Sequence, residues 1–123
     1  MISKEQITRS VQSFFDALAS GDVDRTFACY APGCTVQVVA PGPFEGEMVA
    51  SKEALEAFFA AIPQIEFEIL GVLVDGHCAA VEARSTGKLA SGADYANRYH
   101  NYFRFDDDGL ITAFREYPTY PTG

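Results

Sequence analysis

Basic side chains are scarce. Nine lysines and arginines stand against seventeen aspartates and glutamates, a formal charge of −8 over 123 residues. Nucleic acid and anionic membranes both require a positive patch, so neither is an expected partner. Cysteine is scarce too: Cys29, Cys34 and Cys78 are odd in number and too few for a disulfide framework, which favours a reducing compartment. Together with His77 and His100 they match no familiar metal-ligand spacing, so the thiols read as small buried hydrophobes and no metal is expected. Long apolar runs are missing. The longest, Ala57 to Ile62, falls far short of the roughly 20 residues a bilayer-spanning helix needs. The opening MISKEQITRSVQSFF carries charges where a secretory leader needs an apolar centre. Tryptophan is absent, and so are internal repeats, low-complexity segments and shifts of composition. The expectation is one soluble, cytoplasmic domain over 1–123, long enough to bury a core without staples.

Phenylalanine and tyrosine, ten and six, are plentiful. Ile7, Val11, Phe14, Phe15 and Leu18 recur at helical spacing between a Ser3-x-x-Gln6 capping box and a Gly21 stop, predicting a helix over 4–20. Asp22 caps a second over 23–30 that Pro32-Gly33 ends, and Ser51 starts a third over 52–62, stopped by Pro63. The β-branched TVQVVA predicts a short strand at 35–40, followed by a Pro- and Gly-rich loop, PGPFEG. From Ile65 to Tyr117 the texture becomes strand and turn, with turns at Asp75-Gly76, Ser91-Gly92 and Asp108-Gly109. Helices first and a four-stranded meander afterwards predict an α+β fold, with a curved antiparallel sheet packed on the helices.

The stretch NRYHNYFRF (97–105) raises the functional question. Tyr99, Phe103 and Phe105 alternate with Arg98, His100 and Arg104, as in a half-buried strand. Asn97 and Asn101 share the aromatic face. A buried carboxamide without partners costs roughly 1–3 kcal/mol, so two of them ask either for loop partners or for a ligand-accessible cavity. On the preceding strand Val81, Ala83 and Ser85 alternate with Glu82, Arg84 and Thr86; taken alone the second set would be a solvated face, but periodicity does not settle the face of this strand. In ITAFREYP, periodicity does not assign a face. Tyr30 stays open between core and cavity hydroxyl. The DDDG string (106–109) lacks a calcium ligand series and reads as a solvated hairpin turn.

Three strings, VQSFFDALASGDVDRTFACYAPGCTV, PFEGEMVASKEALEAFF and VEARSTG…SGADYANRYHNYFRFDDDGLITAFREY, resemble the nuclear transport factor two-like superfamily and, within it, the SnoaL-like group. The resemblance implies a cone-shaped curved sheet wrapped around three N-terminal helices, with a cavity at one end that binds a small organic molecule. It implies that Asn97, Tyr99, Asn101, Phe103 and Phe114 line that cavity as ligand-binding residues with Tyr30, and it turns Glu82, Arg84 and Glu116 inward as a catalytic cluster. Cofactor-free acid–base chemistry of isomerase, cyclase or hydrolase type would then use Glu116 or Glu82 as base, Arg84 between them, and Asn101 and Tyr99 as donors. The competing implication is a non-catalytic binding module with a structural Glu-Arg-Glu cluster. Ketosteroid isomerases of this fold use a carboxylate on the first strand, with a tyrosine and a protonated aspartic acid as oxyanion hole. The corresponding positions here are Val38, Phe14 and Asn101, so that catalytic set is not carried over. In limonene-type epoxide hydrolases, Glu116 matches the carboxylate of a closing Arg-Asp-Tyr string. No cofactor is expected. The group also implies a homodimer through the sheet's outer face, where Arg98, His100, Tyr102 and Arg104 alternate.

Overall fold

Ser3 opens the first helix as its spacing predicts: its hydroxyl accepts from the Gln6 backbone N–H, and the Gln6 side chain accepts from Ser3 N–H. The computed structural model of the chain describes residues 2–42 and 45–119. Helix α1 runs Lys4–Ser20 and stops at Gly21, whose φ of 72° is the left-handed conformation glycine adopts freely. Helix α2 spans Val23–Phe27 behind an Asp22 cap, and α3 spans Lys52–Ala61 behind a Ser51 cap. The strands are β1 (Tyr30–Val38), β2 (Gly46–Val49), β3 (Gln64–Asp75), β4 (Cys78–Lys88), β5 (Asp94–Phe105) and β6 (Ile111–Pro118). They form one six-stranded sheet in the order β2-β1-β6-β5-β4-β3, curved and unclosed, with the helices on its inner face. Among the described residues no helix is long and apolar enough to cross a membrane.

Three departures from the sequence reading have physical causes. Helix α2 ends at Phe27 rather than residue 30 because the chain is drawn into the ladder beside β6, where Ile111 N–H donates to the Cys29 carbonyl. Pro32-Gly33 then serves as a bulge inside β1, where the register shifts between Tyr30 and Thr35 and Gly33 takes a φ of 75°. Gly46–Val49, read as the end of a loop, pairs antiparallel with β1, Val36 opposite Met48; Pro43 and Phe44 of that loop lie outside the described residues. Strand β1 runs parallel to β6, the one parallel pair in an otherwise antiparallel sheet, and the intervening chain supplies the long crossover that pairing needs.

The core lies between α1 and the inner face of the sheet. Ile7, Val11, Phe14 and Phe15 meet Val81, Ala83, Phe103, Phe105 and Ile111, all buried. The Phe14 ring is the hub: its centroid lies 5.4–5.7 Å from those of Phe15, Tyr30, Phe103 and Phe114, within the range of favourable edge and tilted contacts. In β3 a bulge at Leu70 reverses the alternation. Phe67 and Ile69 pack on the core before it and Val72 and Val74 after it, while Leu73 is turned out and is 76% exposed.

Gly87 marks a close approach of β3 to β4. A Cβ there would sit 1.9 Å from the Gln64 carbonyl oxygen, a backbone atom that cannot swing aside. Gly71, also in a strand, has nothing within 4 Å of such a Cβ. Gly87→Ala should therefore lower the unfolding free energy by about 1–3 kcal/mol, and Gly71→Ala should change it by less than about 0.5 kcal/mol, measured by denaturant titration. Equal effects at the two positions would show that the sheet relaxes freely at Gly87.

Candidate functional site

Between α1, α3 and the inner face of the sheet lies a cavity of about 390 Å³, within the range of roughly 300–1,000 Å³ usual for small-molecule sites. Helix α1 contributes Phe14, Phe15 and Leu18, and helix α3 contributes Leu55 and Phe58, the same stripes that pack the helices onto the sheet. The sheet contributes Val36, Val38, Phe67 and Phe114, with four polar residues: Tyr30, Tyr95, Tyr99 and Glu116. No lysine, arginine or histidine is among the described lining residues.

Glu116 is placed by strand parity and register. On β6, Phe114 and Glu116 face inward while Arg115 and Tyr117 are exposed. Glu116 stands opposite Asn101 on β5 and opposite Val38 on β1. Among the described residues, no cation and no hydrogen-bond donor reaches its carboxyl. Its surroundings are apolar rings, and burial pushes its pKa from the ordinary 4.5 up to about 7. Next to it Asn101 is 2% exposed, and its Oδ1 is buried without a hydrogen-bond partner. A chain of hydroxyls runs along the wall beyond: Ser85 Oγ to Tyr99 OH at 2.6 Å, and Tyr99 OH to Tyr95 OH at 3.2 Å. Burial raises the pKa of Tyr99 strongly, and the nearby Glu116 and Tyr95 raise it further, so the phenol keeps its proton. Tyr30 is likewise held protonated, first by burial, with Cys34, Cys29 and Glu116 adding to the effect.

The sequence-derived residues divide. Tyr30, Tyr99, Phe114 and Glu116 line the cavity. Phe103 is fully buried in the ring cluster with Phe14, Phe105 and Phe114 and does not reach the wall. Asn97 and Asn101 are buried behind the lining, not on it. The inward placement of Glu82 and Arg84 is corrected: both lie on the outer face. Glu82 Oε2 is 3.6 Å from Arg98 Nη2, and Arg84 holds Glu68 through Nε at 3.0 Å and Nη2 at 2.6 Å. The reason is parity. Strand β4 carries no bulge, and Ala79, Val81, Ala83 and Ser85 occupy its inner positions, so Glu82 and Arg84 have no route inside. The Glu-Arg-Glu cluster is not assembled, and these exposed ion pairs add little stability.

Asp106 Oδ1 accepts from the N–H groups of Asp108 and Leu110, so DDDG builds its turn. His100 is exposed on the outer face. Among the described residues no three metal-ligating side chains cluster, and the three cysteines are free. Sequence reasoning missed Tyr95 and Ser85. Counting outward from the Ser91-Gly92 turn pairs Ser85 with Asn97, two polar residues facing one another on an apolar face, and that was the available signal.

The SnoaL-like domain profile matches residues 11–114. A steroid Δ-isomerase of Nocardioides simplex is 30% identical over 115 residues, covering 91% of this chain and 89% of that protein. AusH from Aspergillus nidulans superposes with a TM-score of 0.84 at 13% identity, over 99% of this chain and 89% of that one. An LEH-like epoxide hydrolase of M. tuberculosis superposes at 0.78 with 20% identity, over 93% and 83%. At such identities the two superpositions speak for the fold alone.

The lone carboxyl has a thermodynamic consequence. Glu116 binds its proton more tightly in the folded state, so between its ordinary pKa of 4.5 and about 7 the folded chain holds more proton than the unfolded one, and stability falls as pH rises. The decline amounts to at most about 3 kcal/mol for this group. Glu116→Gln keeps the shape and cannot ionise. It should match the wild type near pH 4.5 and exceed it above pH 7, as read by urea unfolding at pH 5 and pH 8. Parallel pH profiles for the two proteins would show the carboxyl to be solvated.

Proposed function

The chain belongs to the SnoaL-like domain family, and from that premise we propose that it binds a small, largely apolar organic molecule in the aromatic cavity and isomerises it by cofactor-free acid–base chemistry, with Glu116 as the proton carrier. The observation that carries this reading is the carboxyl at the cavity wall, held near pKa 7 by burial, with no cation among the described lining residues. A group so poised is populated in both protonation states at neutral pH, and can take a proton from carbon and return it elsewhere. The steroid isomerase relative supports isomerisation as the reaction type. In the ketosteroid isomerase pattern the base stands on the first strand, where this chain has Val38. Glu116 is the register partner of Val38 on the adjacent strand, so a carboxyl reaches the same level of the cone from one strand over.

A second reading has its own observation. Phe14 and Val38 occupy positions that carry a tyrosine and a carboxylate in that pattern, which suits a binding module without turnover. The two are separated with a steroid ketone whose carbon–carbon double bond lies one carbon out of conjugation. The wild type should convert it to the conjugated enone, followed by ultraviolet absorbance, and Glu116→Gln should lose at least about 100-fold in rate while still binding the product. Saturable binding with no conversion by the wild type would establish the binding module instead.

The protein is further proposed to act as a homodimer in the cytoplasm, the compartment that suits three free thiols. Across the outer face Leu73, Ala80, Tyr102 and Arg115 stand in one register row, with Arg115 over the Tyr102 ring at 4.8 Å. Arg98, His100 and Arg104 flank it, a mixture of aromatic, arginine and exposed leucine that suits an interface. Sedimentation should give twice the chain mass, and Leu73→Lys should shift the equilibrium toward monomer. A wild-type mass of one chain at all concentrations would refute the dimer.

A further inference from the structure

The hydroxyl chain on the cavity wall has one hydrogen too many for its own acceptors. Arg98 N–H donates to Asn97 Oδ1 at 2.8 Å, which fixes the carboxamide so that Nδ2 faces Tyr95 and donates to its hydroxyl oxygen at 3.3 Å. From Tyr95 the chain continues to Tyr99 and then to Ser85. Three hydroxyls bring three hydrogens, and the two oxygen–oxygen contacts between them can hold only two. Ser85 is 2% exposed, and among the described residues Tyr99 is its one side-chain partner. A Ser85 hydrogen pointed elsewhere would be a buried donor left unmade, so Ser85 donates to Tyr99. The surplus hydrogen therefore belongs to Tyr99 or Tyr95, and both line the cavity.

We infer that this phenolic O–H is the specificity anchor of the cavity and selects an uncharged ligand that presents a carbonyl oxygen to the Tyr95–Tyr99 pair. The inference rests on the reading of the cavity as a small-molecule site. Tyr99 stands opposite Pro118 on β6, and Glu116 lies two residues before Pro118 on the same face, so donor and carboxyl are diagonal neighbours across β5 and β6. A carbonyl held by the tyrosines thus sets the adjoining carbon on the side of Glu116. With Glu116 the sole acid and no cation among the described lining residues, a carboxylate or phosphate has nothing to pair with. Ser85 and Asn97 are positioning residues, since one fixes the direction of donation and the other occupies an acceptor site on Tyr95.

Two probes of nearly the same shape test this, 2-acetylnaphthalene, which carries a carbonyl, and 2-ethylnaphthalene, which does not. By calorimetric titration the wild type should bind the ketone roughly five- to tenfold more tightly. The infrared C=O band of the bound ketone should move to lower wavenumber than in an apolar solvent. In Ser85→Ala/Tyr95→Phe/Tyr99→Phe the whole chain is removed and no hydroxyl is stranded. That variant should keep its affinity for the hydrocarbon, lose the preference for the ketone, and return the band to its unshifted position. Equal affinities in the wild type, or a preference that survives in the triple variant, would overturn the inference while leaving the cavity a binding site. The wild-type infrared band decides the matter without any variant, because an unshifted carbonyl means no donor reaches it. Binding of neither probe would overturn the small-molecule reading and this inference with it.

Discussion

A strand can turn only every second side chain toward a core, and β5, paired with β4 on one side and β6 on the other, fixes that alternation for its neighbours. Its inner positions are Asn97, Tyr99, Asn101, Phe103 and Phe105. The far end of this row, Phe103 and Phe105, is stacked core. At the near end Tyr99 and Tyr95 border the cavity, with Asn97 and Asn101 buried behind them. Register with β5 brings Ser85 beside Asn97 and Glu116 beside Asn101, so the polar features of the site follow from one strand's parity. A slip of one residue would place Arg98, His100 and Arg104 inside, which the ring cluster around Phe14 could not accommodate.

The cavity lies beside the ring cluster that packs α1 onto the sheet. Where Phe14 and Phe15 meet Phe67, Phe103 and Phe114, aromatic rings close the space. Farther along, the same helices carry Leu18, Leu55 and Phe58 against a bent sheet whose wall includes hydroxyls and one carboxyl. In this setting a single charge is expensive, because no cation among the described lining residues offsets its desolvation. The raised proton affinity of Glu116 and the protonated phenols both express that one condition. The outer face obeys the opposite rule: its charges, Glu82 with Arg98 and Arg84 with Glu68, are paired in water and are close to neutral for stability.

Much of this was legible from residue pattern. Capping boxes, left-handed glycines and the change from helical to alternating periodicity are local, backbone-level signals, and they set the three helices and the meander. The buried face of β5 was equally legible, but that of β4 was not: periodicity left Glu82 and Arg84 without a face, and the family resemblance misled by turning them in. Pro32-Gly33 was misread because the same dipeptide ends a helix or makes a bulge, depending on whether a partner strand lies alongside.

What the sequence by itself determined is therefore the three helices with their stripes, the strands of the meander and the alternating face of β5, since each depends on neighbours within a few residues. What only the tertiary structure decided is which inner-face residues are core and which are cavity, and which polar groups meet. Phe103 and Tyr99 share a face and a strand, yet one is sealed among rings and the other bounds open space, because Phe14 and Phe15 of α1 cover the first. Glu116 acquires its chemistry from residues far away in sequence, Phe14, Tyr30, Val38 and Tyr99, brought near by a parallel strand and a curved sheet. That long-range assembly sets its desolvation, and so its proton affinity, which no local pattern encodes.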